Sequence, residues 1–159
     1  MPPLTVTIPS EFKYVGAVCV LNLWLLVKQH RAVMYWREKS GIWYPRTYAE
    51  KAEMEASRDA HMFNCAQRAH QNTLENLPIL YVTAVVAGLR YPILTATLTG
   101  SWVIGKIAFT NGYATGDPDK RFNKVYAIGG LSLVAQGLIA TGIALEWAFG
   151  DLATRYLKV

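Results

Sequence analysis

Four apolar blocks divide the chain, and charged residues concentrate between them. The sequence is 52% hydrophobic and 17% charged, whereas soluble domains carry about 25% charged residues. Long apolar segments that alternate with charged connections are typical of proteins that cross a membrane several times. We therefore predict an all-α, integral-membrane four-helix bundle that forms a single domain over residues 1–159. The predicted helices cover residues 12–36, 61–90, 93–113 and 122–149.

The net charge of +5 does not indicate a nucleic-acid partner, because the basic residues lie beside the apolar blocks. Their uneven distribution instead fits the rule that basic loops stay in the cytosol. Lys13, Arg90, Arg155 and Lys158 belong to the termini and the second loop. The first and third loops hold Lys28, Arg31, Arg37, Lys39, Arg46, Lys51, Arg58, Lys120, Arg121 and Lys124. We predict that these two loops are cytosolic and that both termini face the lumen.

Several site classes lack their sequence signals. Cys19 and Cys65 form neither a CxxC motif nor a zinc-ligand spacing, so we expect no metal and no disulfide framework. No P-loop, HExxH motif or Ser-His-Asp set is apparent. The N-terminus lacks a basic leader and a small-residue cleavage site, so we expect the first helix to act as its own insertion signal.

A polar stripe opens the second apolar block, in the segment FNCAQRAHQNTLENLP at residues 63–78. Arg68, Gln71, Asn72 and Glu75 follow one another at i, i+3, i+4 and i+7, which places them along one side of a helix. Charges close to hydrocarbon are costly and usually functional. Arg68 and Glu75 could equally form a structural ion pair or reach toward the headgroups, and the residues alone leave both readings open.

The predicted topology brings this stripe to the depth at which the third helix ends. There the chain carries a second polar set: Asn111, Tyr113, Lys120 and Arg121. Together the two sets suit a small zwitterionic ligand that has more than one carboxylate, since Arg68 can bind a carboxylate through two hydrogen bonds and Glu75 can take an ammonium. A nearby cation could also lower the pKa of a bound thiol.

Each member of the set also has a simpler interpretation. Tyr113 fits an aromatic belt at the membrane interface, while Lys120 and Arg121 fit ordinary cytosolic charges. Lys106, in the second half of the third block, is most simply a lysine that extends its ammonium to the membrane surface.

The stripe segment, together with GKIAFTNGYATGDPDKR at residues 105–121, resembles the MAPEG family of membrane proteins in eicosanoid and glutathione metabolism. The similarity is greatest to the type 3 microsomal glutathione transferases and covers nearly the whole chain. It implies a homotrimer in the endoplasmic reticulum membrane or the mitochondrial outer membrane. It further implies that glutathione is a co-substrate, conjugated to lipophilic electrophiles, as in leukotriene C synthase, or used to reduce lipid hydroperoxides.

The resemblance also implies roles for particular residues. Glutathione would be held by Arg68, Asn72, Glu75 and Tyr113, with His70 and Arg31 contributed by a neighbouring subunit. A basic residue at the start of the fourth helix would stabilise the thiolate, and this residue is Arg121 or, with an ungapped count, Lys120. The chain departs from leukotriene C synthase at Asn76 and Phe109, where that relative has tyrosines that help bind glutathione.

Two other functions are compatible with the same layout. A non-catalytic scaffold would present a lipid to another enzyme, and a small transporter would use the Arg68–Glu75 pair along a polar path. The intact stripe and the basic pair Lys120-Arg121 favour the enzyme over the scaffold. The two halves of the chain show no repeat, which argues against the transporter.

Overall fold

The computed structural model describes the backbone of residues 7–156 and side chains through residue 150. Within that range the fold is all-helical, which confirms the all-α part of the predicted class. Residues 1–6 and 157–159 of the predicted domain, Lys158 among them, lie outside the described residues. The elements are α1 Phe12–Ser40, α2 Lys51–Ala56, α3 Arg58–Arg90, α4 Pro92–Tyr113, a 3₁₀ helix Pro118–Arg121, and α5 Lys124–Tyr156.

Five helix boundaries differ from the predicted ones, among them the start of α4 at Pro92 instead of residue 93, and α2 was not predicted. The first helix continues past residue 36 to Ser40 and ends where Gly41 adopts a left-handed conformation, with φ 68°. Apolar residues mark where a chain can cross a membrane, whereas a helix can extend beyond that depth through charged residues. The short α2 begins at a capping box formed by Glu50 and Glu53, which satisfies free backbone N–H groups at its start. Helix α3 begins at residue 58, whereas the predicted start was residue 61. Helix α5 runs from 124 to 156, whereas the predicted range was 122–149.

Three helices in the described part of the chain are long and apolar enough to cross a membrane. They are Phe12–Ser40, Pro92–Tyr113 and Lys124–Gly150. The fourth long helix, α3, has 33 residues, but its polar stripe lowers its hydropathy below that of the others. A multi-pass membrane protein is therefore supported, while a fourth span through α3 stays a prediction.

Buried glutamines join the long helices across their apolar interior. Gln29 on α1 donates to Thr73 Oγ1 on α3 at 2.9 Å and to Thr110 Oγ1 on α4 at 2.8 Å. Gln136 on α5 accepts from Thr99 on α4 at 2.9 Å. Such hydrogen bonds between helices are favoured where water is absent. The two bonds from Gln29 hold the first half of α3 beside the second half of α4.

Helices α4 and α5 pack closely against each other at two glycines. A Cβ added to Gly105 would lie 2.9 Å from the Gly129 Cα, and one added to Gly129 would lie 3.0 Å from the Gly105 Cα. Small residues at such crossings allow backbones to pack directly against each other.

We expect Gly105→Ala to destabilise the protein by about 1–3 kcal/mol, because the added methyl group forces the two backbones apart. Thermal unfolding in detergent measures the effect. Gly137→Ala is the matched control, since a Cβ at Gly137 meets no atom within 4 Å. Equal melting temperatures for the two variants would contradict the tight contact.

Candidate functional site

The polar stripe of α3 holds an ion pair that is open to solvent. Arg68 Nη1 lies 2.9 Å from Glu75 Oε1, and the two side chains are 42% and 45% exposed. Ion pairs as exposed as this one contribute little to stability. Stability therefore gives little reason for two charges on this helix. Both groups are accessible to a ligand.

Asn72, between these two charges, is held by a buried lysine. Lys106 Nζ on α4 donates to Asn72 Oδ1 at 2.5 Å, and Lys106 is only 3% exposed. Its ammonium also lies 5.0 Å from the ring centre of Phe109 and 5.7 Å from that of Tyr126, where ring faces favour a cation. The prediction that Lys106 reaches the membrane surface was wrong, because Asn72 and the rings hold it inside.

A cleft of about 200 Å³ opens beside Lys106, between α3, α4 and α5. Asn76, Lys106 and Tyr126 are the lining residues with polar side chains, and the rest of the wall is apolar or glycine. The polar stripe therefore borders a space that apolar groups can enter.

Tyr113 joins the end of α4 to the basic 3₁₀ helix. It is buried against Cys65, Ala69 and Phe109, and the Arg121 guanidinium lies 5.6 Å from its ring centre. Gly112 permits this arrangement, since a Cβ there would collide with the backbone of residues 120 and 121. Arg121 is thereby directed over Tyr113.

Lys120 and Arg121 differ in their surroundings although they are adjacent in sequence. The Lys120 side chain is 62% exposed and lies 3.7 Å from Asp117. The Arg121 side chain is 24% exposed, and its Nη1 lies 3.6 Å from Asp119. Arg121 is thus the basic residue of this pair that is mostly buried and packs over Tyr113.

Sequence reasoning missed Tyr48, which enters the site from the connection between α1 and α2. Its hydroxyl donates to the side-chain oxygen of Gln71 on the stripe. Burial raises the pKa of Tyr48, while the neighbouring Arg68 guanidinium acts in the opposite direction. No periodic pattern surrounds Tyr48 in the sequence, so its position depends on how the connection folds.

His70 and Arg31 lie away from this set. His70 is two residues from Arg68, or about 200° around the helix, and its ring centre is 6.2 Å from that of His30 on α1. It therefore lies nearly opposite the stripe. Arg31 is exposed and makes no hydrogen bond or ion pair with any residue in the described range. One chain alone does not bring these two residues to Arg68.

Comparison with known protein families yields a match over residues 14–142 to the MAPEG family. The chain belongs to the MAPEG family. The match includes all of α3 and α4, the 3₁₀ helix and most of α1 and α5. MAPEG proteins are membrane proteins, and they include glutathione-dependent transferases and peroxidases. Within the described residues, the structure contains no cluster of three or more His, Cys, Asp or Glu that could hold a metal ion.

Proposed function

We propose that this MAPEG protein is a glutathione-dependent membrane enzyme, similar to the type 3 microsomal glutathione transferases. It would conjugate glutathione to lipophilic electrophiles or use it to reduce lipid hydroperoxides. The observation that carries the proposal is the convergence of three polar pairs at one level of α3 and α4. These pairs are Arg68 with Glu75, Asn72 with Lys106, and Tyr113 with Arg121.

The chemistry of glutathione matches the groups on the stripe. Its two carboxylates suit the forked guanidinium of Arg68, and its ammonium suits Glu75. Asn72 can bond a peptide group of the tripeptide, and Tyr113 supplies a phenol at the end of the same surface. An anion that binds Arg68 would displace an exposed ion pair whose loss costs little.

Arg121 is the residue we propose to stabilise the glutathione thiolate. A thiol pKa lowered by two units corresponds to roughly 2.7 kcal/mol, which one partly desolvated cation can supply. The partial burial of Arg121 and its position over Tyr113 support this role. Lys120 is the alternative, although its exposure and its contact with Asp117 make it the weaker candidate. In conjugation the thiolate sulfur bonds to the electrophilic carbon of the second substrate, while the bond from that carbon to its leaving group or epoxide oxygen breaks and the departing atom keeps the electron pair.

A homotrimer would account for His70 and Arg31. Neither contacts the stripe of its own chain among the described residues, so in a trimer they would act on glutathione at the stripe of a neighbouring subunit. A ring of identical subunits is built from such head-to-tail interfaces, which join two different faces of the chain. We place the trimer in the endoplasmic reticulum membrane, with the mitochondrial outer membrane as the alternative.

The lipophilic second substrate would reach the thiol from the membrane. The mainly apolar cleft beside Lys106 borders the polar stripe, so polar and apolar reactants can meet at this level. Burial of the apolar part in such a cleft would supply binding energy without further charged contacts.

The decisive experiment is a titration of the purified protein with glutathione in detergent, followed by calorimetry and by ultraviolet absorbance of the thiolate. We expect saturable binding together with a thiolate signal at neutral pH. S-methyl glutathione should bind without the signal, because it has no ionisable thiol. An absence of both binding and thiolate would overturn the proposal.

We expect Lys106→Met to weaken glutathione binding about five-fold, since Asn72 loses the hydrogen bond that orients it. Methionine fills a similar volume, and because Asn72 is neutral the substitution leaves no unpaired charge buried. The melting temperature should therefore stay the same or rise while affinity falls, as calorimetry and thermal unfolding would reveal. Lys28→Met, at an exposed lysine of α1, serves as the control. A lower melting temperature with unchanged affinity would argue that Lys106 is purely structural.

A further inference from the structure

The connection between α1 and α2 is anchored on both sides of Tyr48. On the side toward α1, the buried Arg37 donates to the carbonyl oxygens of Ile42 at 2.8 Å and Arg46 at 2.7 Å. Its guanidinium also lies 4.1 Å from the ring centre of Tyr44. A guanidinium that bonds two carbonyls of one segment fixes the path of that segment.

On the side toward α2, the anchor is a pair of hydrogen bonds to one residue. Asn64 of α3 donates to the Ala49 carbonyl oxygen at 2.9 Å, and its own side-chain oxygen accepts from the Ala49 N–H at 2.8 Å. Ala49 is buried. Since Ala49 follows Tyr48 directly, this clamp fixes the position from which the Tyr48 side chain extends.

The anchored side chain points into the polar surface of α3. The Tyr48 hydroxyl donates to Gln71, and Arg68, Glu75 and Tyr113 are close enough to act electrostatically on it. Tyr48 is half-buried, so its hydroxyl faces this surface without being closed off from a ligand. Gln71 can turn its amide when the hydroxyl finds a better acceptor, because it is itself only partly buried.

We propose that Tyr48 is a further glutathione-binding residue, whose hydroxyl donates to the same carboxylate that Arg68 binds. This inference rests on the proposed function, and it adds the connection between α1 and α2 as a wall of the site. A carboxylate accepts from a neutral phenol and a guanidinium at once, since its two oxygens offer about four lone-pair sites. Hydrogen bonds to an ionised acceptor are shorter and stronger than neutral ones, so the ligand would outcompete the Gln71 amide.

The test is a comparison of Tyr48→Phe with the unaltered protein in a glutathione titration by calorimetry. We expect the variant to bind at least about ten-fold more weakly, the loss of one hydrogen bond to a charged group. Its melting temperature without glutathione should change little. Tyr44→Phe is the matched control, because Tyr44 lies on the same connection and its hydroxyl contacts only Met34 among the described residues.

Two glutathione analogues, each with a different carboxylate converted to an amide, identify the contact. If Tyr48 and Arg68 share one carboxylate, Tyr48→Phe should lose its penalty with one analogue and keep it with the other. A penalty that persists with both analogues, or affinity equal to that of the unaltered protein, would overturn this inference alone. No glutathione binding by the unaltered protein would overturn the proposed function and this inference with it.

Discussion

Arg68→Ala is expected to weaken glutathione binding by about 10- to 150-fold, the range for hydrogen bonds to a charged group. The substitution removes the forked donor for a carboxylate and leaves Glu75 without the partner that lies 2.9 Å away. Calorimetric titration in detergent measures the affinity. Arg68→Lys should recover only part of it, since an ammonium keeps the charge but lacks the planar fork.

The fold should survive this change, because the Arg68–Glu75 pair is exposed and adds little stability. Arg58→Ala is the control, as Arg58 is an exposed arginine in the first turn of the same helix. If Arg68→Ala and Arg58→Ala bound glutathione with the same affinity as the unaltered protein, Arg68 would have no part in the site.

Arg121→Ala is expected to slow conjugation by roughly 100-fold at neutral pH, the effect of a two-unit rise in the thiol pKa. Removal of the cation favours the neutral thiol, so a smaller fraction of bound glutathione is reactive. The expected pH dependence follows from this, since the activity of the variant should recover as the pH rises through the raised pKa of the thiol. The rate at saturating glutathione, followed across pH, and the thiolate absorbance measure the change.

Lys120→Ala tests which of the two adjacent basic residues stabilises the thiolate. Lys120 extends into solvent beside Asp117, and we expect its removal to change the rate by less than about two-fold, as for a weak surface pair. The opposite result, a large loss at Lys120 with normal activity of Arg121→Ala, would transfer the thiolate role to Lys120. In Arg121→Ala the affinity for glutathione should change less than the conjugation rate, because the substitution acts mainly on the ionisation of the thiol.

Local patterns in the sequence were enough to predict the four long helices and the polar stripe. The position of Arg68, Asn72 and Glu75 on one face of a helix follows from the 3.6-residue period alone. In the structure, Arg68 and Glu75 form an ion pair along that face. Hydropathy likewise marked the apolar helices, since it sums over many residues and tolerates single exceptions. It failed at the start of α2 and the end of α1, where a capping box and Gly41 set the limits.

The surroundings of single polar residues were decided by contacts that no local pattern contains. Lys106 and Asn72 are 34 residues apart in the chain, so nothing beside Lys106 in the sequence shows that it is buried. Tyr48 reaches Gln71 because Arg37 and Asn64, on two different helices, anchor the connection on either side.

The sequence by itself determined an all-helical, multi-pass membrane protein with a polar stripe on one helix. It did so because helical period and apolar length are properties of neighbouring residues. Only the tertiary structure decided which groups contact that stripe and the end of α4. Lys106 donates to Asn72, Tyr48 donates to Gln71, and Arg121 lies over the ring of Tyr113. The physical reason is that burial and hydrogen bonding of a polar side chain depend on residues distant in the chain, which packing alone brings together.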